Sequence, residues 1–112
     1  LAKPANRSHS RYTREAAELL GLMIHNARME RGMTLAELAE RAGVSRSLAH
    51  RAENGDLGCA IGAVFELASI VGVPLFEVEA TTLNQHVSVA RDKRALLPKS
   101  ARRRPQDVMD EF

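Results

Sequence analysis

Two helix starts and one helix stop fall between Thr34 and Ser45, and that spacing constrains the fold more than any other feature of the chain. Thr34 and Glu37 make a T-x-x-E capping box, in which each side chain satisfies a backbone N–H that a helix start leaves free. Leu35, Leu38, Ala39 and Ala42 follow at helical spacing, and Gly43 ends the run because glycine enters the left-handed conformation without a Cβ penalty. Only Val44 separates this stop from Ser45, a second N-cap residue, so the next helix must turn sharply away. Asn54-Gly55 stops that helix in turn.

The flanking segments repeat the helical period. From Thr13 onward Ala16, Leu20, Met23 and Ala27 recur every three or four residues, with Leu19 and Ile24 beside them and Gly32 at the end; this predicts a first helix with that stripe turned inward. Ile61, Val64, Phe65, Ala68 and Val71 predict a fourth helix over residues 60–71, closed by Gly72 and barred from continuing by Pro74. A short helical turn at 75–78, the fifth element, should dock Leu75 and Phe76 on the core. With Thr81 or Thr82 as cap, Leu83, Val87 and Ala90 share one face of an additional C-terminal helix that fades before Pro98. Residues 1–12 show no apolar period and read as a flexible arm, and residues 98–112 as a disordered tail with a basic block and an acidic end. The expected organisation is therefore an arm (1–12), a helical domain (13–79), a C-terminal helix (80–97) that dimerises or extends the core, and a tail (98–112).

Composition agrees with an all-α class. The chain has 112 residues, 45% of them hydrophobic, enough for one modest core. Aromatics make up 4% with no Trp, which leans away from a β-sandwich or barrel. The net charge of +2 says little about partners, but its distribution says more: residues 1–33 carry six basic and three acidic groups, 34–78 three and six, and 79–112 seven and five. Any affinity for nucleic acid must come from a few placed arginines rather than a broad positive surface. The lone Cys59 excludes an internal disulfide framework and fits a reducing, cytoplasmic setting. No apolar run approaches the roughly 20 residues of a membrane span, and the polar N-terminus lacks a secretory stretch.

Two short helices joined by a tight glycine-containing turn can set the second in a DNA major groove while the first crosses the backbone. The run Arg31-Gly32-Met33-Thr34-Leu35-Ala36-Glu37-Leu38-Ala39-Glu40-Arg41-Ala42-Gly43-Val44-Ser45-Arg46-Ser47, followed by Glu53-Asn54-Gly55 and Val71-Gly72-Val73-Pro74-Leu75, resembles the Xre (lambda-repressor-like) family of helix-turn-helix regulators over about residues 18–78. The resemblance implies a five-helix DNA-binding domain in which Ser45, Arg46, Ser47 and His50, near the start of the third helix, meet base edges. Arg46 suits guanine O6 and N7 through two parallel hydrogen bonds, about 1–3 kcal/mol of discrimination, while serines are weakly selective. His50 can touch a base or a phosphate, or stay solvated. Thr34 and Arg51 are candidates for phosphate contacts; the plainer alternative for Arg51 is an ion pair with Glu53 or Glu37. Ala49 and Ala52 are smaller than the aliphatic residues this family usually sets on the inner face of that helix. Closer helix approach, or infill by Phe65 or Leu48, is needed to avoid a cavity costing roughly 2–5 kcal/mol.

Gly62-Ala63-Val64-Phe65-Glu66, Val73-Pro74-Leu75-Phe76-Glu77, Asp92-Lys93-Arg94-Ala95-Leu96-Leu97-Pro98-Lys99-Ser100 and the Asp110-Glu111-Phe112 end also resemble HipB-type antitoxins. That resemblance implies an autoregulating repressor of a palindromic double-stranded operator, paired with a HipA-like serine/threonine kinase toxin that it neutralises by direct binding. A homodimer is expected, with Leu75, Phe76, Leu83 and Val87 at its interface, although each could instead complete the monomer core. In the tail, Arg102, Arg103 and Arg104 could meet phosphate and Phe112 could anchor in a partner pocket; a merely solvated tail is the plainer alternative.

Other chemistry finds little support. His9, His25, His50 and His86 are scattered without ligand spacing, so no metal or other cofactor is expected. Met23, Met29 and Met33 read as core filler. No nucleophile elbow, phosphate loop or paired-carboxylate pattern occurs, which sets an enzyme behind a DNA-binding regulator, with a protein-interaction module that kept the fold between them.

Overall fold

Ser10 starts the first helix earlier than the apolar period suggests. In the computed structural model, which describes residues 8–101, its Oγ accepts from the Thr13 N–H at 3.2 Å and α1 runs Arg11–Glu30. Arg11 and Tyr12, expected in the flexible arm, are therefore helical: a capping serine decides where a helix begins, while apolar spacing reports only which face it buries. The order continues with α2 (Leu35–Ala42), α3 (Arg46–Glu53), α4 (Ile61–Ile70), a 3-10 turn (Leu75–Glu77) and α5 (Ala80–Leu96), with no strand among the described residues. The chain divides into two compact units, one ending at Glu77 and the other beginning at Val78.

In the first unit α1 to α4 surround one core. Ile24, Leu38, Leu67 and Val71 are its largest fully buried side chains, joined by Ala39, Ala49, Ala52, Ala68 and Val73. Burying a residue of the Ile or Leu kind is worth roughly 1.5–3 kcal/mol, so this small cluster carries much of the domain's stability. Leu20, Ala27, Met33, Leu35, Val44, Leu48 and Leu75 pack around it.

The inner face of α1 is rotated from the one that hydrophobicity marks. Gly21, Ile24 and Arg28 are its buried residues, whereas Leu19 is 59% exposed and Met23 and Met29 also face outward. Met33 alone of those three methionines packs on the core. A glycine and an arginine hold the inner face for reasons of space and charge, which displaces larger apolar side chains to solvent.

The 3-10 turn departs from expectation at one residue. Leu75 packs against the core, but Phe76 is 75% exposed. Its backbone lies in the left-handed region at φ 58° and ψ 25°, uncommon for a residue with a Cβ. That conformation swings the ring off the core and onto the edge of Phe65, with centroids 6.3 Å apart and ring planes at 78°.

In the second unit α5 begins at Ala80 after Glu79, whose side chain makes no capping bond. The Thr82 hydroxyl instead donates to the Glu79 carbonyl at 3.1 Å. Val87, Val89 and Leu96 stand exposed along α5. Arg102, Arg103, Arg104 and Phe112 lie outside the described residues.

Candidate nucleic-acid interface

The α2–α3 unit is built by its caps. Thr34 Oγ1 accepts from the Glu37 N–H at 3.1 Å, and Glu37 Oε1 accepts from the Thr34 N–H at 2.8 Å, the reciprocal box read from the sequence. These bonds to Thr34 hold the Glu37 carboxyl below its ordinary value. Gly43 closes α2 at φ 70° and ψ 31°, and the Val44 N–H returns to the Ala39 carbonyl at 3.0 Å. Ser45 then opens α3, its Oγ accepting from the Leu48 N–H at 3.0 Å. The chain thus reverses across three residues that are not helical, Gly43, Val44 and Ser45, and α3 leaves with its direction fixed at its first turn.

Alternation around α3 decides what it presents. Ala49, Ala52 and Glu53 face inward and are buried, while Ser45, Arg46, Ser47, His50 and Arg51 are all exposed. The inner alanines are accommodated by close approach, one of the two expected solutions. A Cβ placed on Gly21 of α1 would lie 2.5 Å from the Ala52 carbonyl oxygen and 2.7 Å from that of Glu53, so the two backbones meet where any larger residue would hold them apart. Leu48 packs on the same cluster.

The other attachment of α3 is ionic. Arg28 Nε donates to Glu53 Oε2 at 2.6 Å and Nη2 to Glu53 Oε1 at 3.0 Å, a two-pronged pair between buried side chains. Arg28 Nη1 also donates to the Met33 carbonyl at 2.9 Å, binding the α1–α2 corner into the same cluster. His25 Nδ1 sits 2.8 Å from Glu53 Oε1 and 3.3 Å from Arg28 Nη2. An ionised carboxylate only accepts, so Nδ1 carries the proton and donates to Glu53, and the longer approach of Arg28 is not a hydrogen bond. Burial pushes the Glu53 carboxyl up, but hydrogen bonds and charge from Arg28 and His25 outweigh it and hold the group below the usual carboxylate range. The bond to Glu53 raises the Arg28 guanidinium against its own burial.

The remaining sequence candidates divide. Arg51 pairs with neither Glu53, which Arg28 already holds, nor Glu37; its Nη1 lies 3.7 Å from Asp56 Oδ2, with both side chains nearly half exposed. A pair of that kind is worth about 0–1 kcal/mol and leaves the guanidinium free to meet another anion. Thr34 stands at the start of α2 with its N–H committed to Glu37, leaving only its hydroxyl proton to offer a phosphate. Arg28, Glu53, His25 and Gly21 did not emerge as site residues from the sequence. The one available sign was position: Arg28 falls four residues after Ile24 and seven after Gly21, on the face that turns inward.

An all-helical domain whose short α3 is capped by Ser45, backed by alanines and faced with Arg46, Ser47 and His50 has the lambda-repressor-like helix-turn-helix arrangement, and such a domain defines a DNA-binding regulator. A family model described as a helix-turn-helix domain matches residues 14–81, and the chain belongs to that family. No curated protein matches the chain. Among the described residues no helix is long and apolar enough to cross a membrane.

Proposed function

We propose that this chain is a sequence-specific transcriptional repressor that binds a palindromic operator as a homodimer, α3 lying in the major groove. The observation that supports it is the division of α3 into an inner face of Ala49, Ala52 and Glu53 and an outer face of Ser45, Arg46, Ser47 and His50. An eight-residue helix so exposed along one side can enter a groove without unfolding anything. Arg46, at the first position of α3, reads guanine through its two-pronged donor edge. Ser45, Ser47 and His50 supply further contacts, and Arg51 and Thr34 meet phosphates.

Leu75, Phe76, Leu83 and Val87 form the dimer interface in this reading. Phe76 and Val87 are exposed apolar side chains, which suit a surface that a second copy covers. The resemblance of residues 92–100 and 110–112 to HipB-type antitoxins extends the role to neutralising a HipA-like serine/threonine kinase, with Arg102 to Arg104 and Phe112 as the contacting tail. An operator selected from random DNA and bound by purified protein tests the core of the reading. Arg46→Ala should cost about 1–3 kcal/mol and relax the sequence preference at one base pair of each half-site. Undiminished specificity in that variant refutes the assignment of α3 as the reader, and failure of the tagged protein to retain a kinase co-expressed from the same operon refutes the antitoxin role.

A further inference from the structure

A cleft of about 300 Å³ opens beside the reading helix, lined by Leu22, His25 and Arg28 of α1, Leu35 of α2, and His50 and Glu53 of α3, with Asn54 just beyond. The charged groups at its floor are tied to one another: Arg28 gives three of its five N–H donors to Glu53 and Met33, and Glu53 accepts from Arg28 and His25. His25 is different. Its Nδ1 is committed to Glu53, ring geometry turns Nε2 the other way, and the side chain is 43% exposed. Among the described residues Nε2 has no hydrogen-bond partner. The titratable side chains that line the cleft with this imidazole are Arg28 from its own helix and Glu53 and His50 from α3, while α2 contributes only Leu35 to the lining.

We propose that His25 is a proton-gated contact to the DNA backbone, so that binding of a duplex by this domain takes up a proton; the proposal rests on the DNA-binding reading of α3. The cleft shares His50 with the outer face of α3, so a duplex lying along that face carries its phosphates past the cleft mouth. A phosphate oxygen only accepts. The neutral imidazole, with its proton fixed on Nδ1 by Glu53, offers Nε2 as a lone pair and repels it. Adding a proton at Nε2 makes the ring a cation and a donor, and the hydrogen bond to phosphate becomes charge-assisted. The Glu53 carboxylate, already hydrogen-bonded to Nδ1, supports that cation from behind, while Arg28 opposes it. No proton is lost from Nδ1, so the Glu53 bond persists in both states.

A backbone contact is independent of sequence, so the test needs no operator. The full chain, its His25→Gln variant and its His50→Gln variant are titrated onto a fluorescein-labelled random-sequence duplex by fluorescence anisotropy near pH 8 and near pH 6, with circular dichroism checking the fold. Wild type should tighten about fivefold more than His25→Gln across that range, the size expected when one histidine takes up a proton on binding. Near pH 6 the salt dependence of His25→Gln should be shallower by about 0.9 in log–log slope, and near pH 8 equal to wild type; a purely structural role for His25 would not give that split. An NMR spectrum of the wild type should also show the Nε2 nitrogen moving to its protonated position on adding duplex. An unchanged Nε2 resonance, the same pH dependence in His25→Gln, or its loss in His50→Gln instead, each overturns the proposal while DNA binding stands. Absence of duplex binding at both pH values overturns the DNA-binding reading, and this proposal with it.

Discussion

Replacing Gly21 by alanine tests how α3 is held. Alanine normally stabilises a helix interior by about 1 kcal/mol relative to glycine, so propensity alone predicts a more stable protein. Here the added Cβ would meet two backbone carbonyl oxygens at 2.5 and 2.7 Å and the Glu53 carbonyl carbon at 2.9 Å, where ordinary contact begins at 3.4 Å. Backbone atoms cannot rotate aside, so α3 must withdraw from α1 by up to about 0.9 Å along the tightest contact. Overpacking of this kind costs about 1–3 kcal/mol. The same displacement pulls Glu53 from Arg28, whose bonds of 2.6 and 3.0 Å have little room to stretch. After subtracting the propensity gain, we expect Gly21→Ala to lose up to about 2 kcal/mol, or up to roughly 8–16 °C in Tm for a domain of this size. Gly62→Ala is the matched control: Gly62 lies in α4, and its added Cβ meets nothing within 4 Å. That variant should gain up to about 1 kcal/mol. Thermal unfolding followed by circular dichroism gives both values. A Tm for Gly21→Ala equal to or above wild type would show that α1 and α3 are not in the contact described.

Two further outcomes follow from the same cluster and from the 3-10 turn. Glu53 has a folded pKa below its unfolded value of about 4.3. Its contribution is therefore fully present above that unfolded value and is lost as pH falls through the lower folded one. Glu53→Gln should cost about 3 kcal/mol near neutral pH by stranding buried Arg28, with the gap to wild type closing below about pH 4; a gap that stays constant to lower pH in urea titrations contradicts the ion pair. Phe76→Gly releases about 1–2 kcal/mol of left-handed strain and forfeits about 1 kcal/mol of edge contact with Phe65, so its Tm should stay within about 5 °C of wild type. If the proposed homodimer forms, sedimentation equilibrium should nevertheless show weakened self-association, and an unaltered dimer constant removes Phe76 from the proposed interface.

What the sequence disclosed and what it withheld divide along the range of the interactions. The Thr34–Glu37 box, the Gly43 stop and the Ser45 cap are decided within four residues, and each formed as its local chemistry requires. Periodicity placed α4, while the outward run of Arg46, Ser47 and His50 is implied only by the family resemblance and not by apolar spacing. The Arg28–Glu53 pair spans 25 positions, and although the spacing from Ile24 sets Arg28 on the inward face, no local pattern names the carboxylate it will meet. The rotation of α1 has the same origin: hydrophobicity ranked Leu19 and Met23 above Gly21 and Arg28, while the packing required a gap for the α3 backbone and a partner for Glu53. Phe76 shows a third kind of limit, because apolar character says that a ring will seek contact and the backbone torsion decides where the ring goes.

These attachments explain how so small a helix as α3 can be held firmly. The buried side chains of α3 are Ala49, Ala52 and Glu53, and two alanines bury too little area to anchor a helix by hydrophobic contact alone at about 25 cal/mol per Å². Apolar packing is also nearly indifferent to small rotations. A two-pronged arginine–carboxylate pair is not, since both bonds require the planar groups to face each other, and a backbone contact across Gly21 fixes the distance at which they do so. Buried ion pairs contribute little net stability over apolar substitutes, so the value of Arg28 and Glu53 lies in direction. Glu53 ends α3 and Ser45 caps its start; with the cap fixing one end and the ion pair the other, the azimuth of Arg46 is set by two points on one rigid rod, as the proposed reading of a base edge requires.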